Sequence, residues 1–199
     1  FIYVGVEVGI PNFANLFMTS PEINIDPTIA GSVVGTYWFL MMIGRLCGAS
    51  IGAKVSSRAM LTVVSTVGIA LVLGAIFCAD NILVNMPVFK SDISFGFAQV
   101  PVNVMLLILC GLCTSVMWGG IFNLAVEGLG KYTAAASGLF MVMVCGGGIL
   151  PLIQGGVADF AGFLNSYWVI ALGLAYILFY AAIGSKNVNT DIPTDDYEA

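Results

Sequence analysis

Six runs of about 20 mostly apolar residues, the length a helix needs to cross a bilayer, dominate this 199-residue chain. They lie near 1-18, 31-52, 59-79, 102-124, 133-157 and 166-184, with short polar or Gly/Pro-bearing breaks between them. Inside hydrocarbon every backbone N–H and C=O must find a partner within the protein, so runs of this length read as helices. Charged residues make up only 9% of the chain, against about a quarter in soluble domains. Six basic and eleven acidic residues cannot cover a soluble globule of this size. The expected fold class is therefore an all-α membrane protein, one six-helix bundle over 1-184 followed by an acidic tail at 185-199. That tail carries Asp191, Asp195, Asp196 and Glu198.

The residue inventory excludes several kinds of chemistry. Without histidine there is no Ser-His dyad, imidazole metal ligand or histidine proton relay. No metal or cofactor is expected, and no basic patch suits nucleic acid. Cys47, Cys78 and Cys145 stand alone in apolar runs, where cysteine behaves as a small apolar residue. Cys110 and Cys113 form a C-x-x-C, which leaves a membrane thiol oxidoreductase as a rival reading. Replacing both with alanine tests that reading, since a thiol enzyme loses its activity.

The first run opens at Phe1 without a charged flank and reads as cut from a longer polypeptide. Six spans put both ends on one side. Lys54, Arg58, Lys131 and Lys186 fall on the side of the C-terminus, with Arg45 close enough to that end of its helix to snorkel there, and Lys90 falls opposite. The positive-inside rule then orients the C-terminus to the cytoplasm. The 80-98 connection lies outside, with Met86, Phe89 and Phe95 in the interface. Gly44, Gly48 and Gly52 make a smooth stripe for helix packing. Gly146, Gly147, Gly148 and Pro151 mark a kink in the fifth span, serving either tight packing or a gate.

Glu7 is the one ionisable residue these boundaries place deep in a span, and its cost there calls for a cavity. Tyr3, Glu7, Pro11 and Asn15 follow at four-residue spacing on one helix face, with Asn12 beside them. Pro11 lacks an N–H, so the Glu7 carbonyl loses its helical partner and becomes available. A carboxylate, two amides and a phenol suit a polyhydroxylated ligand such as a sugar. The alternative is an interhelical hydrogen-bond network. In the fourth span Ser115 and Trp118 share a face near Thr114 and Asn123, and an indole can lie under a pyranose. The alternative there is packing against Gly119 and Gly120. Gln154 is a further cavity candidate, Trp38 with Tyr37 is ambiguous, and Tyr167 and Trp168 read as interface anchors. Arg45, Lys54 and Arg58 form either a latch onto acids and helix C-termini or simple topology signals.

Three stretches carry a resemblance: Y-V-G-V-E at 3-7, G-R-L-C-G-A-S-I-G-A-K at 44-54, and I-F-N-L-A-V-E-G-L-G-K at 121-131 followed by the glycine triplet at 146-148. With them the whole chain resembles the C-terminal six-helix half of a major facilitator superfamily transporter, in the branch of the fucose-proton symporters and glucose/galactose permeases. Its 44-54 loop lacks the acidic residue usual in that motif. The resemblance implies a bacterial inner-membrane, multi-pass sugar transporter working by proton symport and alternating access. It also implies a missing N-terminal half that holds the proton-coupling acids. In this half Glu7, Asn12 and Asn15 are expected to bond the sugar and Trp118 to stack on it. A permease for another solute such as a drug, or a sugar-sensing membrane receptor that transports nothing, remains the alternative.

Overall fold

The computed structural model describes residues 1–79, 81–90 and 92–186, so the acidic residues expected of the tail lie outside the described residues. Eight α-helices and one β-hairpin make up these residues. The first three helices are unbroken: α1 (Ile2–Thr19), α2 (Pro27–Gly52) and α3 (Ser57–Phe77). The fourth pass is broken into α4 (Val102–Thr114) and α5 (Met117–Val126), and the fifth into α6 (Thr133–Val142) and α7 (Gly146–Ala161). The last is α8 (Phe163–Phe179), which ends in a wider helical turn at Tyr180–Gly184. Five of these helical runs, all but α1, are long and apolar enough to cross a membrane. At 18 residues α1 is shorter than most spans, and Glu7, Asn12 and Asn15 dilute its apolarity.

Local chemistry sets the ends. Pro27 begins α2 with its φ already helical, and the Asp26 carboxylate accepts the Thr28 N–H at 2.8 Å. These hydrogen bonds hold the exposed Asp26 carboxyl below its usual range. Ser56 caps α3 through the Ala59 N–H. At the far end of the bundle the Arg58 guanidinium donates to the Ser185 carbonyl at 3.3 Å. Lys54 is exposed in the same short connection.

Helices α1, α2, α4, α7 and α8 pack around a core in which Tyr37, Tyr167, Ile10, Met18 and Leu107 are fully buried. Glycines let backbones meet. A side chain at Gly44 would overlap Ser115, and one at Gly48 would overlap Val116, so the α2 stripe seats the broken fourth pass. Likewise Gly5 faces Leu150, Gly146 faces the Phe1 backbone and Gly147 faces Val4, drawing α1 and α7 together. The fifth pass does change course, through a 3-10 turn at Met143–Cys145 just before the triplet, and Pro151 lies inside α7.

The 80-98 connection, expected to place Met86, Phe89 and Phe95 in the interface, is itself folded. It forms an antiparallel hairpin, β1 (Leu83–Phe89) and β2 (Phe95–Pro101), in register from Leu83 opposite Pro101 to Phe89 opposite Phe95. Met86, Val88, Ala98 and Val100 share one face of it and are buried where the hairpin packs on α2 and α4. Met86 therefore lies in the protein interior, whereas Phe95 stays exposed. At the tip Ile93 adopts φ 63°, and Asp92 accepts the Ser94 N–H and hydroxyl, which lowers the Asp92 carboxyl from its usual range.

Candidate functional site

The polar centre of the bundle forms where α1, α2 and the break in the fourth pass meet. Pro11 cannot donate to the Glu7 carbonyl, and the Tyr37 hydroxyl takes that place at 3.1 Å. Tyr37 shares a second hydrogen bond with the Thr114 hydroxyl at 3.0 Å. Thr114 ends α4, so its carbonyl is not held in a continuing helix and accepts from the Tyr3 hydroxyl at 3.1 Å. Two helix irregularities thus supply two free carbonyls, and two tyrosines satisfy them.

The Glu7 carboxylate turns to the edge of this network and pairs with Arg45, Nη2 to Oε1 at 3.1 Å. Its side chain is 14% exposed, against 56% for Arg45. The same guanidinium lies 3.4 Å from the Met41 sulfur. Arg45 therefore does not snorkel to the end of α2 but turns inward to the acid of α1. Two opposite charges side by side are tolerated at membrane depth where one alone is costly. That Glu7 is the acid Arg45 meets was not foreseen from the sequence, because it depends on the register of α1 against α2.

Arg45 lines a cleft of about 450 Å3 together with Gly48, Ser57, Trp118, Gly119 and Asn123. Trp118 is half-buried, with its ring centroid 5.8 Å from Tyr3 and 4.9 Å from Phe140. Asn123 donates to the Ser57 hydroxyl at 3.4 Å, linking α5 to the start of α3. Arg45 and Trp118 thus border one space, with Glu7 held to it through the ion pair.

Other expected site residues lie elsewhere. Tyr3 and Pro11 are buried, so the four-residue face of α1 is turned into the bundle and only Glu7 and Asn15 are partly exposed. Asn12 lies on the exposed side of α1 with Leu16. Ser115 is buried against Gly44 and donates to the Leu112 carbonyl at 2.6 Å. Gln154 is fully buried where α7 meets α1 and α8, donating to Ser166 at 3.4 Å beside Gly9, rather than facing a cavity. Cys110 and Cys113 are buried free thiols, and Cys110 donates to the Leu106 carbonyl of its own helix. A relay thiol needs an accessible partner, which this setting does not offer. Tyr167 is likewise buried, its hydroxyl on the Ile10 carbonyl at 2.8 Å, while Trp168 is exposed.

No family model matches the chain. It is 30% identical over 188 residues to a glucose/galactose transporter of Brucella abortus, covering 94% of this chain and 41% of that protein. It is 31% identical over 191 residues to a putative glucose/galactose transporter of Helicobacter pylori, covering 94% and 42%. It is 22% identical over 187 residues to the L-fucose-proton symporter of Escherichia coli, covering 94% and 38%. The chain thus spans about two-fifths of the length of these relatives, which are named as transporters rather than enzymes. Among solved structures it matches the transporter FucP in the outward conformation, with a TM-score of 0.76 at 22% identity over 94% of this chain and 40% of that one.

Proposed function

From a chain that has the fold of one half of a major facilitator superfamily transporter and is similar to glucose/galactose and fucose permeases, we propose the C-terminal half of a sugar-proton symporter. The observation that carries this reading is that Arg45, paired with Glu7, borders the same cleft as Trp118. The carboxylate accepts from sugar hydroxyls, the guanidinium donates to them, and the indole covers the C–H face of the ring. Asn12 and Asn15 extend the polar surface of α1 toward its C-terminal end. Arg45 cancels the charge of Glu7, so this reading assigns the coupling acid to the N-terminal half of such a transporter.

In this mechanism two six-helix halves rock about a site at the bilayer midplane. Sugar and proton bind between them, and neutralising a buried acid removes the desolvation that opposes closure. The 3-10 turn at 143-145 and the glycines after it let the fifth pass change its bend. Orientation rests on Lys54, Arg58, Lys131 and Lys186 against Lys90, four to one once Arg45 is committed to Glu7. The C-terminus then faces the cytoplasm of the bacterial inner membrane.

The test is uptake of labelled hexoses and deoxyhexoses by the full-length protein in vesicles, with external pH recorded in the same cuvette. Accumulation with sugar-dependent alkalinisation supports the symporter. Sugar entry without proton movement rejects proton coupling, and hexose binding without entry favours a receptor.

A further inference from the structure

Gly31, Trp38, Met42, Arg45 and Ala49 form an exposed seam along one side of α2, with the half-buried Gly35 beneath the Phe89 carbonyl. This seam runs from the polar cleft at Arg45 toward the N-terminal end of the helix. There the hairpin tip leans over it. The Phe89 N–H donates to the Thr36 hydroxyl at 2.8 Å, and Phe89 stacks on Phe39 with centroids 4.7 Å apart. Phe95 meets Phe39 edge-on at 5.4 Å. Between tip and helix lies a second cleft of about 890 Å3, with Ser32, Trp38, Phe39, Lys90 and Phe95 among its walls.

The polar groups at this cleft are held in place. The Lys90 side chain lies across Gly96, where a Cβ would collide with it, so the absence of a side chain at 96 sets where the ammonium rests. Lys90 itself is anchored by its N–H to the Ser94 carbonyl at 2.9 Å. The Ser32 hydroxyl donates to the Thr28 carbonyl at 3.0 Å and keeps its lone pairs for a donor. Trp38 is 44% exposed, steadied at one edge by Tyr37 with centroids 5.3 Å apart.

We propose that this cleft is an outer sugar-binding subsite, in which a pyranose rests on Trp38 while Lys90 and Ser32 bond its hydroxyls before it moves along the α2 seam to Arg45. An indole platform with a single cation and a hydroxyl suits a neutral polyhydroxylated ring. The seam's continuity with the Glu7–Arg45 cleft favours the same ligand at both ends. The inference rests on the sugar-transport reading above.

Two measurements on the full-length protein decide it. In a background with Cys47→Ser and Cys145→Ser, Ser32→Cys is labelled with a membrane-impermeant maleimide, and labelling is read by mass spectrometry on the peptide carrying residue 32. Saturating glucose or galactose is expected to slow labelling about threefold or more, and mannitol to leave it unchanged. Labelling indifferent to hexose overturns the proposal, and so does complete protection without sugar, which would place protein over the cleft. In transport, Trp38→Ala and Lys90→Ala are expected to raise the half-saturation concentration for entry about threefold to tenfold, with that for exit unchanged. Equal shifts in both directions, or none, contradict an outer subsite. If the parent moves no hexose the transport reading fails, while the labelling experiment still decides whether sugar occupies this cleft.

Discussion

Tyr37 and Trp38 are neighbours in sequence with opposite fates. Tyr37 is fully buried and joins α1, α2 and α4 through the Glu7 carbonyl and Thr114, whereas Trp38 is turned outward into the cleft under the hairpin. The difference extends along the whole helix. Ala30, Val33, Tyr37, Met41 and Gly48 form the buried stripe, and Gly31, Trp38, Met42 and Arg45 the open one. One helix therefore holds the bundle with one face and leaves the other open. Arg45 sits at the junction, on the open stripe by position and on the bundle by its bond to Glu7. A membrane helix has little hydrophobic drive to sort its faces, so glycines and hydrogen bonds do the sorting.

The largest break in this comparison is expected from Gly48→Val. The added side chain collides with Val116 in the break between α4 and α5, and overpacking of this kind costs about 1–3 kcal/mol. A clear fall in melting temperature of the detergent-purified protein checks it; an unchanged melt shows that the stripe does not hold the helices. A smaller loss, about 1–2 kcal/mol, is expected from Tyr37→Phe, which keeps the ring but leaves the Glu7 carbonyl without its partner. Trp38→Phe is the smallest, within about 1 kcal/mol, because the open face contributes little to the bundle. If Trp38→Phe lowers the melting temperature as far as Tyr37→Phe does, the division of the helix into two roles fails.

Much of this arrangement was legible in the sequence. The six apolar runs place the helices, and the i, i+4 relation of Glu7 and Pro11 identifies a freed carbonyl, which Tyr37 occupies. Arg58 meets the carbonyl of Ser185 just after the last helix, a partner that neither of its two readings had named. What was missed depends on register between segments. Nothing local says that Arg45 stands level with Glu7, and Gln154 reads as cavity-facing until α7 is rotated against α1. The hairpin had a signal, since Val84, Met86 and Val88 alternate with Leu83, Asn85 and Pro87 at a period of two, but six helical runs directed attention to the period of 3.6. The break at Ser115 and Val116 has no proline to announce it, and there Tyr3 holding the Thr114 carbonyl is the visible device.

The most direct test of the central claim, that Glu7 and Arg45 act together in sugar recognition, is a double-mutant cycle on hexose binding by the full-length protein. The account predicts that Glu7→Gln and Arg45→Ala each weaken binding about tenfold, and that combining them costs markedly less than the sum, since each already removes the other's partner. Unchanged affinity in the single variants, with the bundle intact by melting, would contradict it and leave the pair as a structural tie between α1 and α2.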